Sequence, residues 1–100
     1  MTTKKYTIAG NSLASRSSAL VERERLVTAI RNGSVVVYDL SSVVSISSSY
    51  ADELFGVLVM QFGVDKVLDS LNIVGASPAV LRVIAEAINV RSQGFSSQVA

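Results

Sequence analysis

Three consecutive serines, Ser47, Ser48 and Ser49, are followed by Tyr50 and then by the carboxylates Asp52 and Glu53. Hydroxyls and acids are thus gathered between an apolar run, Val35-Val36-Val37-Tyr38, and a second one that begins at Leu54. The first run reads as a strand and the second as a helix, so the cluster falls where a buried strand turns into a helix. The first backbone N–H groups of a helix lack intrahelical partners and carry partial positive charge. Hydroxyls, carboxylates, phosphates and ligands collect at such points. Two chemistries follow, a modifiable hydroxyl and a surface for an anion or a partner. Acid–base catalysis does not, because adjacent residues such as Asp52 and Glu53 point in different directions along a helix. Ser49-x-x-Asp52 fits the capping pattern in which a hydroxyl and an acid three residues on satisfy helix-end N–H groups, which makes Asp52 a capping acid.

The elements that must hold this cluster can be read in outline. Tyr6-Thr7-Ile8-Ala9 alternates and is closed by Gly10-Asn11, as a short strand and loop would be. From about Ser18 to Arg31, Ala19, Leu20, Leu26, Val27 and Ile30 form one stripe while Glu22, Arg23, Glu24 and Arg25 fall elsewhere, predicting an amphipathic surface helix that Asn32-Gly33 ends. The β-branched run from Val35 predicts a central strand buried on both faces. A second helix is expected from about Tyr50 to Phe62, stopped by Gly63, and a third strand at Leu71-Asn72-Ile73-Val74. Ser77-Pro78 supplies a cap and a first-turn proline for a last helix over Ala79 to Asn89. Residues 64–70 read equally as a helical turn or a loop. The alternation of strands and helices predicts a small α/β domain of mostly parallel strands with about three helices, spanning 1–91, with a frayed tail at 92–100.

With 100 residues and 49% apolar content, the chain makes one compact domain. It contains no cysteine and no histidine. That removes disulfides, thiolate nucleophiles, imidazole bases and the usual zinc ligands. A hydroxyl nucleophile would have only carboxylates, lysines and tyrosines as bases, so the chain is read as not an enzyme. No cofactor and no metal are expected. Asp39, at the end of the central strand, suits a loop-holding hydrogen bond better than a lone metal ligand. Neither of the glycine-rich phosphate-loop patterns occurs. Residues 1–31 hold six basic and two acidic groups, and residues 32–100 three basic and six acidic. That asymmetry is mild, and it lacks the dense Lys/Arg patch of a nucleic-acid surface. The apolar stretch from Leu54 to Met60 is far shorter than the roughly 20 residues of a membrane span. The polar start at Met1-Thr2-Thr3-Lys4-Lys5 lacks a signal-peptide core, so the expected location is cytoplasmic.

In a parallel sheet the strand-to-helix loops emerge at one edge, where ligands bind in open α/β folds. The three loops here, Gly10 to Ser18, Ser41 to Ser49 and Gly75 to Pro78, are all rich in small residues and hydroxyls. They predict one rim of free N–H groups, hydroxyls and Arg16, suited to an anion or a partner. Arg16 has three readings there: solvated, paired with Asp52, or paired with an added phosphate. The second helix is apolar around nearly its whole circumference, which predicts either burial between other elements or a face that a second copy or a partner covers.

The stretch from Asp39 through Ser47-Ser48-Ser49-Tyr50-Ala51-Asp52-Glu53 to Gly56 resembles the signature of the STAS-like family of small bacterial proteins and domains, related to the anti-sigma factor antagonists. Ser15-Arg16 and Asn72-Ile73-Val74-Gly75-Ala76-Ser77 are compatible with the same pattern, so the likeness spans about residues 15–91. The wider superfamily binds anti-sigma factors and serine kinases, and its phosphorylatable members carry Asp-Ser-Ser-Gly at the equivalent helix start. Here Ser47 stands for the Asp and Tyr50 for the Gly, with Ser49 in the phosphorylated position and Ser48 beside it. The resemblance implies a noncatalytic regulatory module that binds a protein partner through a rim including Ser15, Arg16, Ser47, Tyr50, Asp52 and Ser77. The alternative is a small nucleotide- or anion-sensing domain using the same loops.

Overall fold

Val35–Asp39 forms the middle strand of a three-stranded sheet. The computed structural model describes residues 2–8 and 10–99, with side chains to Ser92. In chain order the elements are β1 (Thr3–Thr7), β2 (Ser12–Leu13), α1 (Arg16–Arg31), β3 (Val35–Asp39), β4 (Ser45–Ile46) and α2 (Ser48–Ala51). A π-helical segment (Asp52–Gly56), α3 (Val57–Phe62), α4 (Val64–Ser70), β5 (Leu71–Val74) and α5 (Pro78–Val99) complete them. The backbone stays right-handed helical at Asp52, Gly56 and Val57, so α2, the π-helical segment and α3 are one continuous helix. Four helices result, against about three expected, because residues 64–70 resolve as α4.

The sheet runs β1-β3-β5, all parallel, with Thr3 beside Val35 and Leu71 beside Val36. Right-handed crossovers in an order that always advances the same way must place every connecting helix on one face. The molecule is therefore two layers, and the expectation that β3 is buried on both faces is corrected. Val36 and Tyr38 lie in the core, whereas Val35 and Val37 are half-buried, and Lys5 and Asn72, which flank Val37 in register, are exposed. The first strand also starts earlier than the alternation of Tyr6 to Ala9 indicates. Its bounds follow from pairing with β3, and Ala9 lies outside the described residues.

The expected second helix contributes Leu54, Phe55, Leu58 and Val59 to the core, where the Phe55 ring meets Tyr38 edge-on at 6.2 Å. Its apolar circumference is explained by its place between α1 and α5, with Met60 left exposed on it. This is the burial alternative. Gly63, at φ +84°, ends it as expected. The last helix continues past Asn89 to Val99. Of the frayed tail expected at 92–100, Ala100 and the side chains from residue 93 lie outside the described residues. No helix among the described residues is long and apolar enough to cross a membrane.

Candidate functional site

The serine cluster sits at the start of α2, on the sheet edge where the strands end. The two-residue strands β2 and β4, which the sequence did not signal, tie the first two rim loops together, with the Ser12 and Ser45 hydroxyls 3.2 Å apart. Ser42 Oγ donates to the carbonyls of Ile8 and Gly10, at 2.9 and 3.1 Å. The third loop packs on the second at Gly75, whose φ is +75° and where an added Cβ would come within 3.1 Å of Ser41 Cα.

Three of the expected rim serines act as helix caps. Ser15 Oγ accepts from Ser18 N at 3.3 Å, Ser47 Oγ from Tyr50 N at 3.0 Å and Ser77 Oγ from Val80 N at 3.3 Å. Ser47 also donates to the Ala14 carbonyl at 3.2 Å, fastening α2 to the loop before α1. The cap is thus Ser47, two residues before the expected Ser49, because the pairing of β4 with β2 fixes where the strand ends and the helix begins. Ser48 and Ser49 fall inside the first turn.

Asp52 is not a capping acid. Its carboxylate receives a bidentate pair from Arg91 of α5, Nε to Oδ1 at 2.7 Å and Nη2 to Oδ2 at 2.8 Å. These bonds hold the Asp52 carboxyl below the usual carboxylate range, overcoming the desolvation that opposes them, and they raise the Arg91 pKa in turn. Arg16 of α1 stands 3.7 Å from Asp52 and 3.6 Å from Glu53, and is more than half exposed. Glu53 pairs with Arg23. The expected outward direction of Arg23 and Glu22 is corrected: Arg23 is largely covered, and Glu22 accepts from the Tyr38 hydroxyl at 2.8 Å.

The π-helical turn explains why Arg23 lies there. Val57 N–H bonds the carbonyls of Asp52 and Leu54 and passes over that of Glu53. Arg23 donates to this skipped carbonyl at 2.8 Å as well as to the Glu53 carboxylate. A π-turn unpairs backbone groups that must find other partners, and a guanidinium from α1 meets the need. Gly56, the last residue of the turn, is the fitting signal that sequence reasoning passed over. An added Cβ would lie 2.8 Å from Asp52 Oδ1 and 2.9 Å from Arg91 Cγ, so the absence of a side chain is what lets the Asp52–Arg91 pair cross the helix.

Helical spacing separates the two candidate serines. Ser48 is four residues before Asp52 and is exposed in a shallow depression of about 240 Å³ that Val83, Glu86 and Val90 of α5 also line. Ser49 is four residues before Glu53, the carboxylate held from α1, and is half-buried. Tyr50 points inward and is 2% exposed, and burial pushes its pKa up to about 12. Asp39 accepts from Ser41 N at 2.9 Å and lies 3.9 Å from Lys5. Hydrogen bonds from Ser41 hold its carboxyl below the ordinary value. Among the described residues no group of three or more carboxylates could hold a metal ion.

A parallel sheet with a serine-headed helix at its C-terminal edge fits the small α/β domain of mostly parallel strands read from the sequence. A family model described as "STAS-like domain of unknown function (DUF4325)" matches residues 23–81, more than half of the chain, and the chain belongs to that family. No curated protein and no solved structure matches it.

Proposed function

We propose that this domain is a noncatalytic regulatory module that docks on a protein partner through the α2 rim, with Ser49 as the residue whose phosphorylation switches docking. The observation that carries the reading is the position of Ser49, in the first turn of the helix and one turn ahead of Glu53, the carboxylate approached by Arg16 and Arg23. A phosphate adds about −1.5 to −2 charge and three strong acceptor oxygens. On Ser49 it would sit near the positive end of α2 and compete with Asp52 and Glu53 for Arg16, the most exposed and most loosely held of the three arginines. On Ser48 it would lie on the side of Glu86, which repels it. A partner fitted to uncharged hydroxyls would meet a desolvated dianion and be released.

The partner expected is a serine kinase or an anti-sigma-like factor. The anion-sensing alternative receives less support, because the hydroxyls of Ser15, Ser47 and Ser77 already serve helix N–H groups. The test is recovery of partners from a native lysate by wild type, Ser49→Ala and Ser49→Glu, with mass spectrometry of the recovered domain. Wild type and Ser49→Ala should retain a partner that Ser49→Glu loses, and phosphate should be found on Ser49. Equal recovery by all three with no modified serine would reject the switch.

A further inference from the structure

A depression of about 680 Å³ runs along α1, on the side of the helix that carries Ser18, Glu22 and Arg25. That face is one wall; Ile8 and Leu13 supply apolar surface, and Tyr50 closes the inner end. Tyr50 is the informative residue. It is 2% exposed, yet its hydroxyl has no hydrogen-bond partner among the described residues. No fully enclosed side-chain polar atom among those residues lacks a partner. The Tyr50 hydroxyl therefore reaches the open space of the groove, as a donor held at the end of a buried ring. A hydroxyl that opens on a groove from the end of a buried ring is held in one place, and so offers a ligand atom a fixed partner.

The remaining polar groups define what that ligand carries. Glu22 Oε1 is taken by the Tyr38 hydroxyl, while Oε2, ion-paired with Arg25 at 3.6 Å, makes no hydrogen bond among the described residues and can accept one. Arg25 lies over the Tyr6 ring at 4.2 Å with its N–H groups unspent among the described residues, and the Ser18 hydroxyl has no partner there either. The groove thus offers donors and an acceptor together, and the charges of Glu22 and Arg25 offset each other. A phosphate or free carboxylate would be repelled by the Glu22 carboxylate, whereas a neutral hydroxyl can donate to it. From Ser18 to Arg25 the wall is about 10 Å long, at 1.5 Å per helical residue. A nucleoside spans such a length, and a monosaccharide takes up about half of it.

We propose that this groove binds a neutral ligand bearing a vicinal diol on an apolar frame, a sugar or a nucleoside, with one hydroxyl donating to Glu22 Oε2 and its neighbour accepting from Tyr50. A carboxylate at the C-terminal edge of a parallel sheet holds ribose hydroxyls in the same manner in dinucleotide-binding folds. The groove shares Ser15 and Tyr50 with the rim, but these contacts require no phosphate on Ser49.

The test is an amide NMR titration of the full chain with D-ribose, D-glucose, adenosine and AMP, on wild type and Tyr50→Phe. At least one of the three neutral probes should give saturable shifts at Thr7, Ser18 and Tyr50, and AMP should bind more weakly than adenosine. Tyr50→Phe should weaken the binding about tenfold, as loss of one neutral hydrogen bond does. Its thermal midpoint should match the wild type, because the hydroxyl has no partner to lose among the described residues. No saturable shift with any neutral probe would overturn the proposal. So would tighter binding of AMP than of adenosine, undiminished binding by Tyr50→Phe, or a lowered midpoint for that variant.

Discussion

Replacing Gly56 with alanine should destabilise this protein, although the same change in an ordinary helix interior stabilises by about 0.5–1 kcal/mol. The reversal comes from the Asp52–Arg91 pair. The new Cβ would lie 2.8 Å from Asp52 Oδ1 and 2.9 Å from Arg91 Cγ, so the two side chains cannot keep both hydrogen bonds. Hydrogen bonds to charged groups contribute about 1.5–3 kcal/mol each. With Arg91 and Asp52 about one-third and one-quarter exposed, solvent screens the pair, and about 2 kcal/mol for the whole is the appropriate scale. Set against the gain in helix propensity, the net loss is about 1 kcal/mol, or a fall of about 4–8 °C in the midpoint for a domain of this size. In an Arg91→Ala background the obstacle is gone and Asp52 is free to turn aside, so the same substitution should stabilise. Urea unfolding of the four proteins of this cycle, followed by circular dichroism, gives the coupling directly. A coupling below about 0.5 kcal/mol, or a stabilising Gly56→Ala in the wild-type background, would refute the account of the glycine.

Ser47→Ala should cost about 1 kcal/mol in the same unfolding assay, through loss of the cap to Tyr50 N, while Ser49→Ala should cost less than half as much. Equal losses would return the cap to Ser49. Asp52→Asn should be less stable than wild type at pH 7, and the gap should close on acidification. Because the folded-state pKa of Asp52 is depressed, its stabilisation is complete above the unfolded carboxylate value of about 3.9 and is lost as pH falls through the lower folded value. A gap that stays constant from pH 7 to about pH 2 would contradict the ion pair. Gly75→Ala should destabilise by about 2–4 kcal/mol, combining a left-handed backbone at φ +75° with a Cβ pressed on the Ser41 backbone. Denaturation midpoints within error of wild type would show that the two loops part at little cost.

The elements legible in the sequence were those with local causes. The β-branched run of β3, the glycine that ends α3 and the Ser77-Pro78 start of α5 each act within a few residues, and the structure places all of them as expected. What the sequence concealed depends on partners far along the chain. Arg23 looked like one of four surface charges because its partners are Glu53 and the Glu53 carbonyl, 30 residues away. Arg91 lay beyond the expected end of its helix, yet its partner Asp52 is 39 residues earlier. The strands β2 and β4 are too short to show a period, and they moved the cap from Ser49 to Ser47. A glycine inside an apolar helical run was the one local trace of the charged crossing.

The π-helical segment also sets an angle. A π-turn holds one residue more than an α-turn, and each residue of an α-helix advances the chain by about 100° around the axis. Behind the segment, Leu58 and Val59 anchor the helix in the core. Ahead of it, Ser48 and Ser49 therefore face about 100° away from where an unbroken α-helix, counted back from that anchor, would aim them. The orientation of the hydroxyl-bearing end is a matter of residue count. Removing one residue between Asp52 and Gly56 would turn that end like a dial while the buried half held still.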